Sequence, residues 1–366
     1  MTHSARSVLE MQINQRFLAH SEGFEFPQVA DTFKQRLETS IDDLFDVDLN
    51  PKKQRIGLAA RHPMLDQRYT ILTHEIEQFH NLSYDWAIAR KSGLYFTGLH
   101  RQGKTTAIKS TIVSLRSELP FIAFLTCNGQ RLTNKSKEAF CRYLLESWGY
   151  PASAIRRGVR VENVLANLII VQCAEVGGIQ CVLLIDEAQL FSVVHYRYLL
   201  ELWNSLRSQG YILCTILVGQ MDLLQLRAIT DELDHGAVVS RFFVSGHTMG
   251  GIKTPSKLEE LLSHYDVELS YPIGREWPYS RFFCKEAFDR GWRLGGEWRN
   301  YWTALTKVSN AKEKEIKTSG FRMAWIVDAV HGFLLDAMAK DSASFHGTVS
   351  MWEDLLQQGT DSKFIV

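Results

Sequence analysis

The chain has 366 residues, 45% of them hydrophobic, and carries 41 basic and 41 acidic side chains for a formal net charge of zero. That length and apolar content allow one large or two modest domains with a sizeable core, and the neutrality argues against a general polyanion binder. Its six cysteines form no CxxC pair, which sets aside a zinc knuckle or a disulfide framework and predicts reduced core residues.

Residues 1–55 read as an N-terminal arm. It has amphipathic pieces at Val8–Leu18 and Phe33–Leu44 and closes on the acidic run Ile41–Asp48. The first fifty residues hold nine acids against four bases, a local charge of −5. No basic-then-apolar leader opens the chain, and the longest apolar run, Tyr211–Gly219, is far short of the roughly 18 residues a membrane helix needs, so a cytoplasmic protein without a membrane partner is expected.

A short buried strand, Gly93–Thr97, comes next, and then Gly98-Leu99-His100-Arg101-Gln102-Gly103-Lys104-Thr105. A glycine, four free positions and Gly-Lys-Thr make a P-loop. The strand ends, glycines let the backbone curl so that its N–H groups face phosphates, and a helix begins with its positive dipole end on the same anion. The pattern predicts ATP bound by Gly98, Arg101, Gln102, Gly103, Lys104, Thr105 and Thr106, with Lys104 on the β- and γ-phosphates and Thr105 on Mg²⁺. The helix, Thr106–Leu119, shows Ala107, Ile108, Ile112, Val113 and Leu115 on its apolar face.

Strand Phe121–Cys127, helix Ser136–Trp148 and helix Val161–Val176 follow. Residues 101–160 hold eleven bases against three acids, a local charge of +8. Within it Arg131, Thr133, Lys135, Lys137, Arg156, Arg157 and Arg160 are candidate phosphate contacts for duplex DNA, or else a solvated or subunit-facing surface.

Strand Gln180–Ile185 runs into Asp186-Glu187, an apolar strand ending in two carboxylates. In a parallel sheet that end lies beside the P-loop, so Asp186 can serve Mg²⁺ and Glu187 can orient an attacking water. After helix Tyr196–Ser208, strand Tyr211–Val218 ends at Gly219-Gln220. Gln220 is a γ-phosphate sensor candidate, or an amide cap for the next helix. Arg241 stands just before an apolar segment read as a last strand, Phe242–Val244, and is either an arginine finger for a neighbouring subunit or a structural ion-pair residue.

Alternation of strands and helices predicts a three-layer α/β domain over 56–248 built on a parallel five-stranded sheet. Beyond residue 250 strand signals vanish, so a small helical lid over 249–340 and a C-terminal tail over 341–366 are expected. In the lid, Arg322 precedes an apolar helix from Met323 to Met338; an arginine there opposes the helix dipole unless an anion compensates, so it is a second sensor candidate or a surface residue. Trp277, Trp292, Trp298 and Trp302 read as lid core or partner surface.

Taken in order, these elements resemble AAA+ ATPases of the P-loop NTPase class. Within them, Leu184-Ile185-Asp186-Glu187-Ala188-Gln189 and Leu217-Val218-Gly219-Gln220-Met221-Asp222-Leu223 resemble the TnsC, TniB and MuB transposition regulators and the ExeA-type secretion ATPases, and Ser240-Arg241-Phe242 resembles the clamp-loader finger. The resemblance covers about residues 56–335. It implies an ATPase that assembles with ATP as a ring or filament of its own copies on duplex DNA, linking a TniQ/TnsD-like target selector to a TnsA/TnsB-like transposase. Carried onto this chain, Lys104, Glu187, Gln220, Arg241 and Arg322 would be the catalytic set. A secretion ATPase, a replication initiator or loader, and a nucleotide-gated scaffold without DNA binding are the rival readings.

Overall fold

In the computed structural model, which describes residues 48–66, 68–156, 158–233, 235–272, 275 and 277–358, the elements follow the apolar periodicity of the chain. Helix α1 (Lys52–Ala59) is followed by α2 (His74–Ile88), β1 (Leu94–Gly98), α3 (Lys104–Glu118), β2 (Ile122–Asn128), α4 (Lys137–Ser147), α5 (Val161–Glu175), β3 (Gln180–Asp186), α6 (Val193–Ser208), β4 (Ile212–Gly219), α7 (Asp222–Glu232), α8 (Gly236–Phe242) and β5 (Ser245–Met249). Helices then take over: α9 (Pro255–Val267), α10 (Tyr279–Phe283), α11 (Lys285–Asp289), α12 (Trp298–Ser309), α13 (Glu313–Ser319), α14 (Met323–Lys340) and α15 (Val349–Gln358).

The chain divides into two compact units. One is Leu72–Gly250, and the other joins the residues up to Ile71 with those from Gly251 onward. In the first unit the strands form one parallel sheet in the order β2-β3-β4-β1-β5. The side-chain period of two splits the middle strands between two cores. Cys181, Leu183 and Ile185 join a cluster with Phe140, Leu165 and Tyr196, while Val182 and Leu184 join one with Phe79, Ala107 and Leu115. Every residue of β3 is buried, as a strand covered on both faces requires.

Three expectations change here. The segment Phe242–Val244 is not a strand: Phe242 ends α8 and Phe243 is buried beside Tyr95 and Tyr196, whereas the fifth strand is the polar Ser245–Met249. As an edge strand it buries its residues only in part, so it lacks the continuous apolar run of β3 and β4. Val113 is 59% exposed and leaves the apolar face of α3, which Thr111 joins instead. Residues 56–71, which the sequence reading assigns to the α/β core, contribute Ala59, Met64 and Ile71 to the core of the helical unit.

In that unit the segment read as a tail supplies α15, whose Trp352 is fully buried. Its indole stacks between Tyr301 and Phe333, with ring centroids 4.0 Å away on each side and interplanar angles of 13° and 6°. Trp277, Trp292, Trp298 and Trp302 lie half-buried against the same core. Arg55 is buried 3.5 Å from Asp341, which also accepts the backbone N–H groups of Glu286 and Ala287, so α1 and the start of α11 share one buried carboxylate. The N-terminal pieces Val8–Leu18 and Phe33–Leu44 and the last residues, 359–366, lie outside the described residues.

All six cysteines are buried thiols. Burial pushes Cys127, Cys141 and Cys214 up to about 12 and Cys173 to about 11, and raises Cys181 and Cys284 as well.

Candidate nucleotide site

The carboxyl ends of β1, β3 and β4 open on one edge of the sheet, and the chain places a polar group at each. After β1 the loop 98–103 turns through Arg101 at φ +61° and Gly103 at φ +86°, left-handed conformations that point successive N–H groups into one concavity before α3 begins at Lys104. Gly98, Gln102 and Lys104 are buried there, and Arg101, Thr105 and Thr106 are exposed. Lys104 Nζ donates to the carbonyls of Gly98 at 3.0 Å and Leu99 at 2.7 Å, and it is held below its ordinary range by burial, against the opposing pull of Glu187 and Asp186.

Thr105 Oγ1 donates to Asp186 Oδ2 at 2.6 Å, joining the start of α3 to the end of β3 across the intervening strand. A hydroxyl beside a buried carboxylate supplies the hard oxygen donors that Mg²⁺ accepts while keeping waters and phosphate oxygens in its other positions. Among the described residues no cluster of three or more His, Cys, Asp or Glu forms a self-sufficient metal cage.

Glu187 sits at φ +48°, a left-handed conformation that a non-glycine residue adopts at a cost. Two amides hold it there. Gln189 Nε2 donates to Glu187 Oε2 at 2.6 Å, and Gln220 Nε2 donates to the same oxygen at 3.2 Å. Gln189 Oε1 in turn accepts the backbone N–H of Gln220 at 3.1 Å, so one side chain ties the end of β3 to the end of β4. Gly219 makes room for it, since a Cβ at that position would stand 2.5 Å from Gln189 Oε1. The Gln220 amide therefore goes to the carboxylate, and α7 starts at the N-cap Met221 with no side-chain cap bond among the described residues. Gln189 had no assigned role in the sequence reading; its signal was its position, two residues beyond Glu187 on the turn leaving the strand.

The remaining candidates belong to other elements. Arg241 is in the last turn of α8, its guanidinium 4.9 Å from the Trp203 ring centroid, among residues at the amino ends of β1 and β4. A strand of seven or eight residues separates that end from Asp186, on the order of 20 Å, so Arg241 cannot complete the site of its own chain. Arg322 is the N-cap of α14 in the helical unit, half-buried, with its Nε lacking a partner among the described residues.

Of the basic segment, Arg131, Thr133 and Lys135 are exposed on the loop between β2 and α4, and Arg156 and Arg160 are exposed before α5. Arg157 lies outside the described residues. Lys137 is half-buried and paired with Glu201 at 2.7 Å, a partner 64 positions away that spacing along the chain does not reveal. No helix among the described residues is long and apolar enough to cross a membrane.

Residues 88–226 match a family model described as an AAA domain. No curated protein matches the chain. Among solved structures it is similar to the ORC2 protein of Aeropyrum pernix in its ADPNP-ADP complexes, with 15% identity, a TM-score of 0.53, and coverage of 81% of this chain and 71% of that one. The ADP form of the same protein gives 14%, 0.52, 81% and 72%. These likenesses show a shared fold, a five-stranded parallel α/β unit with a helical C-terminal part.

Proposed function

We propose that this AAA+ fold binds and hydrolyses ATP with Mg²⁺, and that nucleotide controls the assembly of its copies on duplex DNA. The observation that carries the reading is the cluster at the strand ends, where Lys104, Thr105–Asp186 and the Glu187–Gln189–Gln220 triad converge from three strands. Lys104 would offset phosphate charge, Thr105 and Asp186 would hold Mg²⁺, and Glu187 would take the proton of the attacking water with Gln220 beside it. The structure solved as ADPNP-ADP complexes is a nucleotide-bound relative in fold, which supports a nucleotide at this edge. Arg241, remote from its own site, would act on a neighbouring copy's phosphate, and Arg322 would contact nucleotide as a second sensor.

Within AAA+ proteins we favour a TnsC-like regulator of transposition, with TniQ/TnsD-like and TnsA/TnsB-like partners, on the motifs Asp186-Glu187-Ala188-Gln189 and Gly219-Gln220-Met221-Asp222. A replication initiator or loader is the second reading. The fold likeness to ORC2, which spans the helical unit as well as the sheet, favours it.

Duplex binding measured with ATP, ADP and no nucleotide over a salt series tests the core of the proposal. Binding should require ATP, and its logarithm should fall linearly with log salt. Lys135→Ala should reduce that slope by about one, as should Arg131→Ala, whereas Lys137→Ala should change it by less because Glu201 already neutralises Lys137. Binding that ignores nucleotide, or none at low salt, overturns the DNA role. Electron micrographs with a duplex and ATP analogue separate the finer readings: a continuous filament along the duplex supports the transposition regulator, and a single closed collar supports the initiator.

The clearance at Gly219 gives a sharper test of the triad. Gly219→Ala places a methyl against Gln189 Oε1 and frees Glu187 from its stronger amide. Turnover at saturating ATP should fall by about tenfold to a hundredfold with little change in nucleotide affinity. A change in affinity alone would show that the triad serves binding.

A further inference from the structure

A cavity of 580 Å³ opens at the amino ends of the strands in the α/β unit, lined by Trp86, Arg90, Lys91, Trp203, Arg207 and Arg241 among others, and by no Asp or Glu. Its four cations have no carboxylate partner among the described residues. Three of them rest on indole rings: Lys91 Nζ is 5.1 Å from the Trp86 centroid, and the Arg207 and Arg241 guanidiniums are 5.1 and 4.9 Å from that of Trp203. Stacking fixes these long side chains in advance, so a ligand that pairs with them orders little.

The way α2 ends sharpens the case. Arg90 N–H donates to Ala87 O and Lys91 N–H to Trp86 O, the paired bonds of a Schellman close, with Arg90 in the left-handed position at φ +54°. Glycine or asparagine is the economical residue there, and the contact that usually seals the motif is apolar. This chain instead places an arginine at the strained position and a lysine on the sealing tryptophan, and so delivers two cations to the cavity at a cost in stability.

We propose that this cavity is a docking site for an acidic peptide, and that its occupant is the segment Ile41–Asp48 of a second copy of the chain. The indole faces already carry cations, so they are not free to stack nucleobases, and a concave cavity of this size suits a few side chains better than a duplex backbone. The segment offers Asp42, Asp43 and Asp46 interleaved with Leu44, Phe45 and Val47, carboxylates for the four cations and apolar groups for Ile212, Leu213 and Val244, which also line the cavity. Because Arg241 also lies on this surface, the proposal rests on the self-assembly half of the reading above, and it gives the neighbour a grip that does not depend on nucleotide.

The acceptor for the test is the full chain with Asp42, Asp43 and Asp46 changed to Asn, and the probe is a labelled peptide of sequence 41–48. Anisotropy should report saturable binding that weakens with salt, and both Arg90→Gly and Arg207→Ala in that background should weaken it by about tenfold or more. Arg90→Gly should at the same time raise Tm, since glycine relieves the left-handed strain, so lost binding cannot be blamed on lost structure. Without nucleotide the wild-type chain should sediment as more than a monomer, and the triple Asn variant should not. Absence of peptide binding at low salt, or binding indifferent to Arg90 and Arg207, overturns the proposal, as does displacement by single-stranded nucleic acid but not by the unlabelled peptide. A fluorescent ATP analogue bound equally by all variants would show the P-loop reading standing whichever way the peptide result falls.

Discussion

Glu187→Gln is expected to cut ATP turnover by about 10²–10⁴-fold while nucleotide affinity stays within about threefold of wild type. The substitution changes one atom of a side chain whose surroundings are already set by two amides. The carbonyl oxygen of the new side chain can still accept from Gln189 and Gln220, so the turn after β3 keeps its shape. What is lost is a group able to take a proton from water. Lys104, Thr105 and Asp186, which would hold the phosphates and Mg²⁺, are untouched, so assembly on DNA should persist and stop dissolving. Single-turnover hydrolysis beside an equilibrium titration with a fluorescent analogue checks both halves. Unchanged turnover would remove Glu187 from its role, and a matching fall in affinity would move that role from chemistry to binding.

Trp352→Ala should destabilise the helical unit by about 3–5 kcal/mol. The indole is fully buried and stacked on both faces, so its removal leaves two aromatic partners without a filler. Its Nε1 has no acceptor among the described residues, so the loss is one of packing and not of a hydrogen bond. Urea unfolding followed by circular dichroism is the measurement, and because the chain has two compact units the transition is to be fitted as two steps. Trp352→Phe should recover much of the loss. A cost below about 1 kcal/mol would mean that α15 adds nothing to its unit.

The parts of this molecule that could be read from the sequence are those whose signal is local. The P-loop, the apolar strand ending in Asp186-Glu187 and the buried β4 each carry their meaning within about ten residues, and the sheet and its helices follow from them. The edge strand β5 was hidden because half of it faces water, while the more apolar Phe242-Phe243 beside it is core packing for a helix end. Residues 56–71 join the helical unit through partners 196 and 262 positions away, as Tyr69 does with Tyr265 and His331, which no local pattern reveals. Helix α15, read as a tail, packs on Tyr301 and Phe333 nearer in the chain, and only the burial of Trp352 shows that it belongs to the core. Gln189 was visible as a letter in a motif, but its bond to Glu187 and its hold on Gln220 depend on a glycine in another strand.

The enclosure of all six thiols has a practical reach. With no native sulfur available to a maleimide in the folded chain, a cysteine introduced anywhere on the surface becomes a unique chemical address. One dye on the loop before α4 and another near Arg207 would then report contact with DNA and with a neighbouring copy as separate signals, without any native cysteine having to be replaced first.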